Sequence, residues 1–259
     1  MSSSPVGPHA RRPVVVTGCN RGIGLEIAHA FLESGHRVLG LSRGAPPSRL
    51  TEHAAFVQVP FDASDSASVE RAAAQVLEHA EGAAPWALVN NAGIALSAPL
   101  AKTTNEDYAR TMAVNVTAPY LLSRALMPAM AKAGGGRVIN VASTAGLKGF
   151  RYTSAYCASK HALIGLTRAL AVEYAQKGVT VNAVCPGWTD TDMLAASAAN
   201  ISKATGRSED DARKALADMN PMGRLIQPAH VAKMCLFLSS DAAETVTGAT
   251  WTMDGGESA

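Results

Sequence analysis

Val14-Val15-Val16-Thr17-Gly18-Cys19-Asn20-Arg21-Gly22-Ile23-Gly24 is the stretch that decides the fold of this chain. Three consecutive valines read as a strand covered on both faces. Glycines at 18, 22 and 24 then turn the chain into a helix. In such a turn the backbone can approach a pyrophosphate closely, and the helix N-terminus supplies N–H donors and the positive end of its dipole.

Outward from this turn the pattern repeats. Apolar, β-branched runs recur at 37–41, 56–59, 88–89, 137–141, 179–184 and 250–253, with Ala- and Leu-rich segments of helical length between most of them. Strand and helix in alternation predict an α/β fold, a doubly wound parallel sheet of about seven strands with helices on both faces. With 259 residues, 47% of them hydrophobic, the chain can bury a large core. No Pro/Gly linker or internal repeat divides it, so residues 13–259 are expected to form one domain behind a flexible tail, residues 1–12. One stretch departs from the alternation. After Cys185-Pro186-Gly187 come about forty residues with polar helical character, and a helical lid over roughly 188–222 is expected there.

Composition excludes several classes. A net charge of +2 without a basic block gives no footprint for nucleic acid. Apolar runs are too short to span a membrane. Cys19, Cys157, Cys185 and Cys235 form no CxxC pair, which suits reduced cysteines in a cytoplasmic protein and no metal site.

Tyr156 and Lys160 are four residues apart in a strongly helical segment, so they share a helix face. Ser143 ends the preceding strand, and ligands in α/β sheets sit at the carboxyl ends of strands. Reducing a ketone leaves an alkoxide that needs a proton. A phenol can donate it if a nearby ammonium lowers its ordinary pKa near 10. Tyr156 is therefore expected to act as acid in reduction and base in oxidation, with Lys160 tuning it and Ser143 hydrogen-bonding the carbonyl oxygen. Tyr156, Ser143 and Trp188 are the expected substrate contacts. His161 and Cys157 turn away from this face and read as packing residues.

The TGxxxGxG spacing at Thr17–Gly24, Asn90-Asn91-Ala92-Gly93, the S-x12-Y-x3-K set at 143, 156 and 160, Asn115 in MAVNV, and Pro186-Gly187 together resemble the short-chain dehydrogenase/reductase family over roughly residues 13–256. The resemblance implies a Rossmann-type sheet and a nicotinamide dinucleotide held by Gly18, Asn20, Arg21, Gly22, Ile23, Gly24, Asp62, Asn90, Ala92, Gly93, Tyr156, Lys160, Pro186, Gly187, Thr189 and Thr191. It also implies that Lys160 holds the nicotinamide ribose and that Asn115 joins the catalytic set by anchoring a water in the proton path. Asp62 could otherwise cap the helix that follows, and Asp190 and Asp192 read as lid-helix caps. An acidic residue at the end of the second strand would hold the adenosine 2′-hydroxyl of NAD(H). Ser42 stands there, followed by Arg43, and Arg21 faces the same region. Two guanidiniums attract a 2′-phosphate, so NADP(H) is expected over NAD(H).

The segment Trp188…Met193…Met219-Asn220-Pro221-Met222 is similar to the lid of 3-oxoacyl and 3-hydroxyacid reductases. Where 3-hydroxybutyrate dehydrogenases clamp a free carboxylate with Gln, His and Lys, this chain has Ala95, Ala145 and Thr153. A 3-oxoacyl thioester or similar β-keto compound is the expected substrate, with Lys148 and Arg151 near the mouth either meeting a carrier phosphate or solvated. A dehydrogenase of an apolar or aromatic secondary alcohol is the enzymatic alternative, and a non-catalytic dinucleotide sensor the alternative of another class. The resemblance further implies a homotetramer paired through the long helices 105–132 and 154–176, both sparing in charge.

Overall fold

The computed structural model of the protein describes residues 12–80 and 83–259. Most of the expected tail, residues 1–11, lies outside the described residues. Arg12 is not part of a loose tail: its guanidinium donates to the carbonyls of Ala84, Pro85 and Gly135 and stacks 5.3 Å from the Trp86 ring.

Seven strands form one sheet: β1 (Val14–Thr17), β2 (Val38–Ser42), β3 (Phe56–Pro60), β4 (Ala87–Asn90), β5 (Gly136–Val141), β6 (Val179–Pro186) and β7 (Thr250–Met253). Their order is β3-β2-β1-β4-β5-β6-β7, and every pairing is parallel. Alternation along β1 divides the core. Val14 and Val16 face α1 (Gly22–Glu33) and α9 (Pro228–Ser239), in a cluster with Ile27, Phe31, Val231 and Leu238. Val15 faces the other side with Leu39, Leu41, Leu88, Leu122 and Leu126, beneath α3 (Ser66–His79), α5 (Ala118–Lys132) and α6 (Ser154–Tyr174). Each such fully buried side chain contributes about 1.5–3 kcal/mol. The expected α/β fold is the observed one.

Chain order reverses between β1 and β4, which opens a crevice at their carboxyl ends. The glycine-rich turn leaves β1 there, and Asn91-Ala92-Gly93 leaves β4 beside it. Below, in the sheet interior, Asn90 and Asn140 face each other in register. The Asn90 amide donates to Asn140 Oδ1 (2.8 Å), and Asn140 donates to Thr167 Oγ1 (2.9 Å) on α6.

Two helical expectations change in detail. The segment 105–132 is not one α-helix. It is α4 (Asn105–Met112), opened by a Thr104/Asp107 capping box, then a π-helical turn (Ala113–Thr117), then α5. The expected lid is a hairpin of α7 (Asp192–Thr205) and α8 (Glu209–Asp218). It has a small core of its own, Leu194, Ala198, Ala212 and Leu216, against which Trp188, Ile201 and Leu225 pack. The short α2 (Ser48–Thr51) completes the helices.

Candidate active site

Four elements converge on the crevice. The first is the glycine-rich turn, and it is pinned from β4. Asn91 Nδ2 donates to the Thr17 carbonyl (2.9 Å) and the Gly18 carbonyl (3.3 Å). The Thr17 hydroxyl accepts from the backbone N–H groups of Asn91 and Ala92, both at 2.9 Å. Gly18 has φ +67°, a conformation that L side chains rarely adopt. At Gly24 a Cβ would run into the Gly18 carbonyl and the Asn91 amide, so the first turn of α1 and the strand end touch backbone to backbone. Neither Thr17 nor Asn91 was singled out by the sequence as a site residue. The signal was a polar residue at the end of an apolar strand and a second asparagine beside Asn90.

The second element is the edge near β2. Ser42 is buried, donates to the Gly44 carbonyl (2.9 Å) and accepts from Gln58 (3.3 Å). Asn20 lies against Gly44. Arg43 is exposed and 3.9 Å from Asp62. Asp62 does not cap α3; Asp65 does, accepting from the Ala67 and Ser68 N–H groups. Asp62 instead accepts from the Ser64 N–H and hydroxyl, which hold its carboxyl below the usual range, with Arg43 adding to the effect.

The third element is α6 with the end of β5. The Ser143 hydroxyl interacts with the Tyr156 phenol, an effect that lowers the phenol's pKa, and accepts from the Ala145 N–H at 3.1 Å. Lys160, 4% exposed, donates to the Val141 carbonyl at 2.9 Å and lies 5.7 Å from the Tyr156 ring centroid. A Cβ on Gly93 would lie 3.6 Å from Lys160 Nζ and 3.4 Å from Asn115 Oδ1, so the β4 loop passes directly over both. Asn115 sits in the π-helical turn. Its amide accepts from the Ile94 N–H and donates to the Ile94 carbonyl (both 2.9 Å) and to Ser159 Oγ at 3.0 Å. Ser159 in turn donates to the Tyr156 carbonyl at 2.7 Å. The extra residue of the π turn is what lets one helix turn the amide toward the β4 loop, a common use of such turns at functional sites. His161 does not pack inward. It is exposed, with Nδ1 2.9 Å from the Cys157 carbonyl, while the Cys157 thiol contacts Thr153 Oγ1.

The electrostatics differ from the expectation that Lys160 lowers the Tyr156 pKa. Burial pushes the phenol up to about 12, against the opposing Ser143 hydrogen bond. Burial also brings the Lys160 ammonium down to about 8. In both cases the largest cause is the cost of holding charge away from water. A consequence for stability follows. Between pH 8 and 10.5 the unfolded chain holds a proton on Lys160 that the folded protein has released, so this group makes folding more favourable as pH rises through that window. Burial raises the thiols of Cys19, Cys185 and Cys235, which act with the opposite sign above pH 9. The lysine is isolated by comparing urea midpoints of wild type and Lys160→Met without dinucleotide. The variant's advantage at pH 7 should shrink by pH 10; a constant gap would contradict the assignment.

The fourth element follows β6. Pro186 ends the strand, and Gly187 N–H donates to the Met253 carbonyl at 3.0 Å. The hydroxyls of Thr189 and Thr191 turn back onto the Gly187 and Thr189 carbonyls. Thr191 packs beside Gly22, and Asp192 lies 3.7 Å from Arg21, so the lid base touches the glycine-rich turn. Asp190 and Asp192 are not caps. The N-cap of α7 is Thr191 without a side-chain bond, and Asp190 pairs with Arg213 at 2.7 Å. Charge opposite an available guanidinium has taken precedence over the helix end. Of the other expected cofactor residues, Ile23 packs against the core, and Asn90 points into the sheet interior instead of the crevice. Among the described residues no cluster of acidic, histidine or cysteine side chains could hold a metal, and no helix is long and apolar enough to cross a membrane.

The pinned glycine turn and the open crevice at the strand reversal fit a dinucleotide. Comparison with known proteins agrees with the geometry. Residues 18–258 match the family described as enoyl-(acyl carrier protein) reductase. The chain belongs to the short-chain dehydrogenase/reductase family. It is 34% identical to a D-beta-hydroxybutyrate dehydrogenase of Cupriavidus necator, covering 95% of this chain and 97% of that one. It is 38% identical to a 3-oxoacyl-(acyl carrier protein) reductase of Pseudomonas aeruginosa, covering 93% and 95%. A crystal structure of a variant actinorhodin polyketide ketoreductase with NADPH superposes with a TM-score of 0.88 at 32% identity, covering 95% and 97%. As a member of this family the protein is an oxidoreductase interconverting a secondary alcohol and a ketone. That sets aside the non-catalytic sensor.

Proposed function

We propose that this short-chain dehydrogenase/reductase reduces a 3-oxoacyl thioester or similar β-keto compound with NADP(H). The observation that carries the reading is the Ser143–Tyr156–Lys160 set, whose lysine lies directly beneath the Gly93 loop at the strand reversal. A bound nicotinamide dinucleotide supplies the hydride. Gly18, Gly22 and Gly24 hold its pyrophosphate at the start of α1. Ala92, Gly93, Pro186, Gly187, Thr189 and Thr191 line its nicotinamide half, and Asn20, Ser42 and Asp62 its adenosine half.

The chain's own chemistry is proton management. Ser143 donates a hydrogen bond to the carbonyl oxygen, as an oxyanion stabiliser does. Tyr156, held protonated by burial, delivers its phenolic proton to that oxygen as negative charge develops. Lys160, fixed by the Val141 carbonyl, holds the ribose hydroxyls and offers a positive charge as the phenol is deprotonated. Asn115, through Ser159, fixes the first turn of α6 that carries Tyr156.

For the cofactor, Arg21 and Arg43 are exposed, and among the described residues their ion pairs are loose and solvent-screened. A phosphate dianion competes well with such carboxylates. The kcat/KM with NADPH should exceed that with NADH by about tenfold or more, and Arg43→Ala should remove most of the difference, since one charge-assisted hydrogen bond is worth about 1.5–3 kcal/mol. Equal or better use of NADH by the wild type would overturn the preference.

For the substrate, the wall offered by Ala145, Phe150 and Trp188 is apolar, and Lys148 is already engaged by Glu257. That disfavours a small free acid, despite the hydroxybutyrate dehydrogenase among its relatives. It suits a longer β-keto chain such as the 3-oxoacyl reductase relative takes by name. NADPH oxidation with a panel of acyl thioesters, free 3-oxoacids and apolar or aromatic ketones tests this. Preference for the free acids would refute the reading, and preference for simple apolar ketones would favour the secondary-alcohol alternative. Arg151 lies at the mouth over the Tyr152 ring and is the remaining candidate for a carrier phosphate. We further place the enzyme in the cytoplasm as a homotetramer joined by α5 and α6. Val172 on α6 is 83% exposed in the single chain, as a face covered by another copy would be.

A further inference from the structure

We infer that the Lys148–Glu257 pair is a positioning device that sets the aromatic wall of the substrate pocket, a role that rests on the ketone-reductase reading above. The C-terminal turn is knotted on itself. The Asp254 carboxylate accepts from the Gly256 N–H (3.0 Å), the Ser258 N–H (2.8 Å) and the Ser258 hydroxyl (2.6 Å). That knot carries Glu257 inward, where its side chain is 3% exposed. Lys148 meets it twice: Nζ donates to the Glu257 carbonyl at 2.9 Å and lies 3.3 Å from Oε1. A buried carboxylate is costly without a cation, so the turn and the lysine hold one another in place.

Three segments meet at this pair. Lys148 belongs to the loop 144–153, which joins Ser143 to the helix of Tyr156 and is tied to it by Cys157 Sγ on the Lys148 carbonyl. The ammonium lies 5.2 Å over the Phe150 ring. Phe150 meets Trp188 edge to face, with centroids 6.4 Å apart. Residue 187, just before Trp188, has room only for a glycine. A Cβ there would stand 2.9 Å from Asp254 Cβ and 3.2 Å from Glu257 Oε2. The pair thus fixes the separation of the two aromatic residues without touching the reacting atoms.

The test is a double-mutant cycle in the full-length enzyme with Lys148→Met, Glu257→Gln and the two together, plus Lys148→Arg. Each single variant should raise the ketone KM about tenfold, the size of a coupling between contacting residues. The kcat and the Kd for NADPH, read by cofactor fluorescence, should stay within about twofold. The double variant should be no worse than either single, and Lys148→Arg should largely restore KM. Amide exchange should quicken in both 144–153 and 187–191. Additive effects, an unchanged KM, or a parallel loss of kcat and NADPH affinity would overturn the inference. If the wild type turns over no ketone, the functional reading fails. Exchange in those two segments still decides the pair, and unchanged exchange in both would reject it.

Discussion

Replacing Tyr156 by phenylalanine should lower kcat by ~10²–10⁴-fold, the range that a positioned general acid contributes. The dinucleotide should still bind measurably, because the contacts proposed for the cofactor come mostly from the glycine turn, the ends of β2 and β4, the segment after β6 and Lys160. Two observations make this the largest expected effect on chemistry. The phenol interacts with the Ser143 hydroxyl past the end of β5, and burial keeps it protonated up to a pKa of about 12, so at neutral pH it is a loaded proton donor. The substitution removes one oxygen and adds no atom, so the thermal midpoint should hardly move. Turnover close to that of the wild type would show that another group delivers the proton.

Gly24→Ala should weaken dinucleotide binding by about 100-fold and lower the thermal midpoint by several degrees. The added methyl would collide with the Gly18 carbonyl and the Asn91 amide, and both belong to the pinned turn. Overpacking against such neighbours costs about 1–3 kcal/mol, and every 1.4 kcal/mol is tenfold in affinity. Gly149→Ala is the control, since a Cβ there meets open space. Titration of NADPH fluorescence and a thermal scan read both effects. An alanine variant that binds normally would mean that the turn can open, and that α1 need not touch β1 to hold the cofactor.

What the sequence made legible was local. Tyr156 and Lys160 lie one helix turn apart, and Ser143 stands two residues past the end of β5, so their spacing and the strand end brought them together. The five inner strands were visible because buried parallel strands are largely apolar. What escaped depends on partners distant in the chain. Asn115 reads as helical, but it sits in a π-helical turn and its amide pairs with Ile94, 21 residues upstream. Lys148 reads as a loop charge, either solvated or meeting a carrier phosphate; its partner Glu257 is 109 residues away. Asp190 and Asp192 carry the residue type of helix caps, and only the fold brings Arg213 and Arg21 to them. The direction of the Tyr156 shift was misjudged for the same reason. Spacing reports a neighbour's charge, while the loss of water that sets the shift is a property of the packed interior.

The hydrogen bond between Asn90 and Asn140 has an effect at the mouth of the crevice. Gly93 stands three residues beyond Asn90, and Ser143 three residues beyond Asn140, on neighbouring strands. A slip of one strand past the other by a single residue would strand two amides in an apolar interior, at about 1–3 kcal/mol each. The pair therefore works as a height gauge. It holds the backbone that passes over Lys160 level with the hydroxyl that meets the substrate's oxygen, and it does so from inside the sheet, where neither ligand reaches.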